Sequence, residues 1–382
     1  EHKWQETKGA LMEGVEGSKA KTLDVVLENT RKYLSEQATS GATSAGNVAT
    51  LNRVILPVIR RVMPTVIANE LVGVQPMTGP VGQIHTLRVR YADTTTGGAT
   101  NIVAGDEALS PFKIASSYSG NDSSPAKGSA TATLEGAAGK RLNVQILKQV
   151  VEAKSRKLSA RWTFEAAQDA QAQQGVDIEA EIMAALAQEI TAEIDQEILT
   201  SLRALAGSAA AAFDQSAVSG TATFVGDEHA ALAVLINQQA NLIAQRTRRG
   251  AGNYAVVSSE ALTVLQSATT SAFARSTEGV FEAPTNTKFV GTLNNSMRVY
   301  VDGYAATGTD VLVGYKGPSE ADAPAFYCPY IPLMSSGVVL DPSTFEPVVS
   351  FLTRYGYVEL SNTASSLGNA ADYLARISMS NI

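Results

Sequence analysis

The residues that could do chemistry are few and poorly placed for it. Glu179, Glu181, Glu189, Glu193, Asp195 and Glu197 crowd into one stretch. Paired carboxylates can act as general acid and base, or hold metal ions between helices. Glu189 and Glu193 share a helix face, but no histidine stands nearby in sequence to complete a metal set. The ordinary reading is a solvated or salt-bridged face. His2, His85 and His229 are widely separated. Gly136, Gly139 and Lys140 resemble a phosphate loop, yet the spacing is too short and Arg141 stands where Ser or Thr is required. Gly250 and Gly252 do not extend to a dinucleotide fingerprint. Arg246, Arg248 and Arg249 form a basic cluster before Gly250. It suits either a phosphate or subunit contact, or cations favourably placed at a helix C-terminus. The single cysteine, Cys328, excludes a disulfide within the chain and a cysteine-based zinc site. Between Tyr327 and Pro329 it reads as a buried structural thiol, not a nucleophile. No catalytic constellation emerges, and no cofactor or metal is expected.

The elements that must carry these residues follow from periodicity. Ser18 to Leu34 reads as a helix, with Leu23, Val26, Leu27, Thr30, Tyr33 and Leu34 at helical spacing. Glu36 to Thr50 reads as a flexible polar arm. Leu51 to Leu71, broken by Pro57 and Pro64, predicts two short helical pieces. Val72 to Gly82 predicts turns, and Ile84 to Tyr91 a strand. Ala92 to Lys140 is dominated by Gly, Ala, Ser and Thr, makes a poor core, and predicts an extended loop or hairpin lying over a neighbour. Strand-like alternation runs from Leu142 to Phe164. The clearest element is a helix from Asp177 to Ala206. Asp177 caps it, and Ile178, Ile182, Leu186, Ile190, Ile194, Ile198 and Leu202 recur at a step of four. That step drifts by about 40° per repeat, so the stripe winds around the helix and meets different neighbours along roughly 45 Å. Helices are predicted over Asp227 to Gln245 and Ser259 to Ser267. Strands are predicted over Tyr254 to Ser258, Arg298 to Val301, Val311 to Tyr315 and Val348 to Leu360.

Composition narrows the function. Of 382 residues, 45% are hydrophobic and only 18% are charged, a shortfall that suggests much of the outer surface meets protein rather than water. The net charge of −7 argues against a dedicated nucleic-acid binder. No apolar run approaches bilayer length and no signal-peptide pattern opens the chain, so neither membrane nor export is expected.

Several blocks together resemble the major capsid proteins of T-even-type tailed bacteriophages. They are Val58-Ile59-Arg60-Arg61 with Pro64, Gly73-Val74-Gln75-Pro76-Met77 and Val151-Glu152-Ala153-Lys154-Ser155-Arg156. Glu165 to Asp169 follows, then Glu189-Ile190 and Glu193-Ile194. Later come Arg248-Arg249-Gly250, Gly252-Asn253-Tyr254, Val299 to Asp302, Val313 to Pro318, Tyr327 to Tyr330 and Thr353-Arg354-Tyr355-Gly356. The resemblance implies an α+β chain with the Hong Kong 97 capsid fold. Its parts would be an N-terminal helix and arm over 1–50, an arm-to-peripheral segment over 51–83 and an extended loop over 84–164. A peripheral domain with its spine helix would cover 165–223, an axial domain 224–340, and a return to the peripheral domain 341–382. T-even-type relatives carry an inserted domain in the loop, for which Ala92 to Lys140 is too poor in large apolar residues.

The implied function is a shell subunit that forms hexamers tiling an icosahedral head around double-stranded DNA, without sequence-specific binding. Implied partners are other copies of the chain, vertex and portal proteins, a scaffold, a maturation protease and decoration proteins. The implied location is the virion, after assembly in the host cytoplasm. The family's protease cuts after a Leu/Ile-x-Glu site. Glu36 matches, with Gln37 where a small residue is usual, and Glu13 before Gly14 is the second candidate. Intersubunit contacts are expected through Arg60, Arg61, Lys154, Arg156, Arg248 and Arg249. The alternative is an encapsulin-like cellular compartment enclosing an enzyme cargo; a soluble hydrolase is a third, distant reading.

Overall fold

The structure is a computed structural model. It describes residues 8–9, 12, 18–39, 68–95, 102–106, 108, 118–120, 128–136, 138–174, 177–214, 225–247, 249–267, 273–275, 288–294, 296–306, 308–320, 322–360 and 370–380. In chain order the first half of the elements is α1 (Ser18–Thr39), α2 (Ala68–Leu71), β1 (Gly73–Val74), β2 (Val81–Tyr91), α3 (Thr131–Leu134), β3 (Leu142–Glu152), β4 (Lys154–Arg161), α4 (Phe164–Gln174), α5 (Ile178–Leu205) and β5 (Ala211–Asp214). Then come α6 (Val225–Thr247), β6 (Tyr254–Ser258), α7 (Ser259–Ser267), β7 (Phe273–Arg275), β8 (Lys288–Leu293), β9 (Met297–Asp302), β10 (Val311–Gly314), β11 (Ala325–Ser335), β12 (Val339–Leu340), β13 (Pro347–Glu359) and β14 (Leu374–Ser380). The mixture of helices and sheets is α+β, as expected. The chain divides into two compact units.

The first unit comprises residues 1–82, 151–201 and 326–358. Its five-stranded sheet has β13 beside β11, with β1 beyond β11, while β12 and β4 also pair with β13. β4 and β13 run antiparallel from Val348↔Arg161 to Tyr355↔Lys154. α5 bears out the predicted helix nearly end to end. The Asp177 carboxylate accepts from the Glu179 N–H at 3.1 Å, and Gly207 takes a φ of +69° just beyond the last turn. The winding stripe is visible in burial: Ile178 and Ile182 are half-buried, whereas Leu186, Ile190, Ile194 and Ile198 are buried. α1 buries Leu23, Val26 and Leu27. Its Asn29 side-chain amide donates to the carbonyls of Met77 at 2.8 Å and Tyr330 at 3.1 Å.

The second unit comprises residues 83–150, 202–325 and 359–382. Its seven-stranded sheet has the order β5-β14-β10-β6-β9-β8-β7. β6 and β9 are parallel, as are β14 and β5. The central strands are buried on both faces; Tyr254 to Ser258 is buried throughout. α6 covers the sheet with Leu232, Ile236 and Ile243, and α7 adds Ala261, Leu262 and Leu265. β2 and β3 form a separate two-stranded ribbon.

Four expectations are corrected. Glu36 to Thr39 is helical, because α1 runs past Leu34. The predicted Phe164 strand end is instead the first residue of α4: the Thr163 hydroxyl accepts from the Ala166 N–H at 3.3 Å, and the Ala/Gln-rich run that follows favours helix. Val72 to Gly82 contains the short strand β1, which pairs parallel with β11. The described part of Ala92–Lys140 is not coreless. Tyr91, Ile102, Ala108 and Tyr118 bury one another, with Val89 packed alongside. The Tyr118 hydroxyl donates to the Arg141 carbonyl at 2.5 Å, and the Lys140 ammonium lies 5.6 Å from the Tyr118 ring centroid. Few apolar residues suffice because two tyrosines supply large rings with polar tips.

Candidate functional site: one clasp in each unit

In the first unit, blocks far apart in sequence converge. The Gln75 and Met77 N–H groups donate to the Tyr327 and Pro329 carbonyls, both at 3.0 Å. The Tyr327 and Tyr355 rings pack at a tilt of 39°, with centroids 5.4 Å apart. Gly356 lies so close to β3 that a Cβ there would stand 2.4 Å from Val151 Cγ1 and 3.2 Å from the Glu152 carbonyl oxygen. Across this junction Arg156 uses its whole fork. Nη1 meets Glu193 at 2.7 Å and Nη2 meets Glu197 at 2.5 Å, both on α5, while Nε donates to the Tyr355 hydroxyl at 2.5 Å. The Tyr355 hydroxyl donates in turn to Glu197. Burial alone would lower the Arg156 guanidinium; the bonds to Glu197 and Tyr355 more than reverse this. Burial would raise the Glu197 carboxyl, but the same two partners hold it below its ordinary value. Burial and the bond to Glu197 push Tyr355 well up, so it stays a donor. Within the acidic run on α5, Glu193 and Glu197 are salt-bridged to Arg156, as the sequence suggested, whereas Asp195 is buried.

The second unit has a clasp of different construction. The Asn253 amide donates to the Lys316 carbonyl at 2.5 Å, and its oxygen accepts from the Lys316 N–H at 3.0 Å. Its own backbone bridges β10 and β9, donating to Gly314 at 2.9 Å and accepting from Arg298 at 3.0 Å. Tyr254 packs closely against Gly314, where a Cβ would come within 2.3 Å of the ring. Arg203 pairs at 3.1 Å with Asp302, whose side chain is 0% exposed. Arg249 Nη1 meets Asp322 at 2.5 Å, and Tyr373 also donates to that carboxylate at 3.2 Å. Burial pushes Tyr373 up to about 12.

The expected contact residues divide. Arg156 is committed within its own unit, Lys154 is exposed beside it, and Arg249 is paired yet 57% exposed. Arg60, Arg61, Arg248, Glu13 and Gly14 lie outside the described residues, and Glu36 and Gln37 fall in α1. Cys328 is buried, and burial pushes its thiol up to about 11, the opposite of an activated nucleophile. Sequence reasoning missed Asn253 and the Arg203–Asp302 pair, although Asn253 and Asp302 both stand in the blocks quoted above. Among the described residues, no group of acidic, histidine or cysteine side chains is placed to hold a metal, and no helix is long and apolar enough to cross a membrane.

Both clasps hold strands and helices together within their own units. The comparisons with known proteins give the class of protein. The family model described as major capsid protein Gp23 matches residues 48–379, so the chain belongs to that family. The major capsid protein of Vibrio phage KVP40 is 30% identical, over 94% of this chain and 87% of that protein. That of Enterobacteria phage T6 is 31% identical, over 85% and 81%. Among solved structures, the capsid of Myoviridae phage XM1 is 11% identical, covers 82% of this chain and 92% of that one, and has a TM-score of 0.47. Family membership, the long α5 and the β2–β3 ribbon together give the Hong Kong 97 capsid fold. The chain is a major capsid protein of a tailed phage and forms the shell of the virion by self-association; an encapsulin-like compartment is not favoured.

Proposed function

We propose that the chain forms hexamers that tile an icosahedral shell around double-stranded DNA, assembled in the host cytoplasm, and that its work is assembly with no catalysis. The observation that carries this reading is the β2–β3 ribbon. Leu142, Val144, Ile146 and Val150 are 52–67% exposed along one strand. An isolated two-stranded ribbon is marginal at best in water, and a row of exposed apolar residues needs a cover. Another copy of the chain supplies it in a shell, where each interface is reused by symmetry. In this reading the first unit is the peripheral domain and the large sheet of the second is the axial domain, with Lys154 and Arg249 offered to neighbours. Vertex and portal proteins, a scaffold, a maturation protease cutting at Glu36 or Glu13, and decoration proteins complete the particle. A net charge of −7 suits a shell that encloses DNA and later releases it.

The test is electron microscopy of the chain expressed alone, with intact mass of the assembled product. Polyhedra, tubes or sheets are expected, and the mass locates any cut. Particles filled with an enzyme cargo would overturn the DNA-shell reading.

A further inference from the structure

The β2–β3 ribbon has no turn to align it. β2 stops at Tyr91 and β3 starts at Leu142, so residues 92–141 separate the two strands. A short hairpin takes its register from its turn, but a connection this long sets none. Its closure also costs entropy, which grows with loop length. Register matters here because side chains alternate between faces. Leu142, Val144, Ile146 and Val150 occupy even positions of β3, and a slip by one residue would turn all four to the opposite face.

Tyr118 joins the two strand ends. Its hydroxyl accepts from the Asp93 N–H at 3.2 Å and donates to the Arg141 carbonyl at 2.5 Å. Asp93 lies just past β2 and Arg141 just before β3. Tyr118 is 25 positions from the first and 23 from the second, so it divides the connection near its middle. Neighbouring bonds repeat the tie. The Ala92 N–H donates to the same Arg141 carbonyl at 3.0 Å, and the Arg141 N–H to the Asp93 carboxylate at 2.9 Å. Lys140 Nζ donates to the buried Thr95 hydroxyl at 2.7 Å. The Tyr118 ring is buried, with its centroid 4.5 Å from that of Tyr91, which holds the hydroxyl in place. On the other edge of β2, the Tyr91 N–H donates to the Asp106 carbonyl at 2.9 Å and Val89 accepts from the Ala108 N–H at 2.8 Å. The end of the ribbon thus has a third main-chain partner and an apolar core, which a bare two-stranded hairpin lacks.

We infer that Tyr118 is a positioning residue for shell assembly. It sets the register of the ribbon within the free subunit, and so fixes which face carries the apolar row when another copy arrives. The inference rests on the shell reading above, in which a neighbour covers that row. A ribbon already in register meets its ordering cost before the contact forms, which strengthens the contact without adding to it.

The test uses the full chain with Tyr118→Phe, which keeps the ring and removes only the hydroxyl. In dispersed subunits, hydrogen exchange of the β2 and β3 amides is expected to quicken about five- to tenfold, the scale of one hydrogen bond. The concentration needed for assembly should rise by a similar factor. Subunit melting, and exchange in β6 and β9, should stay at the natural level. A second variant, Asp93→Ala, removes the carboxylate that accepts from Arg141 at the same strand ends, and should shift exchange and assembly in the same direction. Unchanged ribbon exchange in both variants would overturn the inference. Faster exchange with assembly at the natural concentration would overturn it too, because register would then not limit assembly. A natural chain that never assembles would overturn the shell reading and, with it, the assembly role of Tyr118. Natural particles beside unchanged exchange in the variant ribbons would overturn this inference alone.

Discussion

The two clasps use similar residues under different physics. In the first unit Arg156 joins a sheet to a helix through two carboxylates that are 38–43% exposed. Water and salt reach that network and weaken it. In the second unit Arg203 meets a carboxylate that is fully buried, and the surrounding fit is steric, with Tyr254 pressed on Gly314. Screening hardly touches that arrangement, but the loss of any one piece leaves a buried charge or an overfilled space. The Arg156 network is therefore tunable by the medium, whereas the Arg203–Asp302 pair and the Tyr254–Gly314 contact are set by shape.

The sharpest break of this contrast is Arg203→Ala. It removes the cation paired with the buried Asp302 carboxylate, which keeps the Tyr304 N–H, and truncating one partner of a buried pair costs about 3–5 kcal/mol. Chemical denaturation should show the second unit unfolding first, independently of salt. Gly314→Ala comes next, at about 2–3 kcal/mol, because a Cβ would enter the buried Tyr254 ring; Gly314→Ala combined with Tyr254→Leu should recover part of the loss. Arg156→Ala should cost less, about 1–2 kcal/mol, and the gap from the natural chain should shrink as salt rises. A salt-independent gap would remove the contrast between the units. The smallest effect is the pH response of Glu197. Its carboxyl lies below its ordinary value, so its contribution is fully present above that value and is lost as pH falls through the lowered one. Acid titration of the natural chain should show this loss, and Glu197→Gln should flatten it.

Local periodicity made much of this legible. Tyr254–Ser258 and Ser259–Ser267 match the expected elements residue for residue, because an all-apolar run and an amphipathic turn are self-declaring patterns. β11 was not legible: Pro329 and Pro332 argue against a strand, yet both lie within one. Pro329 still contributes a carbonyl, which Met77 uses. The clasps were illegible for another reason. Arg156 was singled out from a sequence block, but its partners Glu193, Glu197 and Tyr355 lie 37 to 199 positions away. Only the tertiary fold selects them from the many carboxylates available.

α1 carries a consequence of its own. The Glu36–Gln37 bond belongs to a continuous helix whose middle is pinned by Asn29 to two separate main-chain carbonyls. Cleavage of a folded segment proceeds through its transiently opened form, at a rate set by how often that form is visited. The proposed cut there would wait on fraying of the final turns, and each added bond along the helix would lengthen the interval before it.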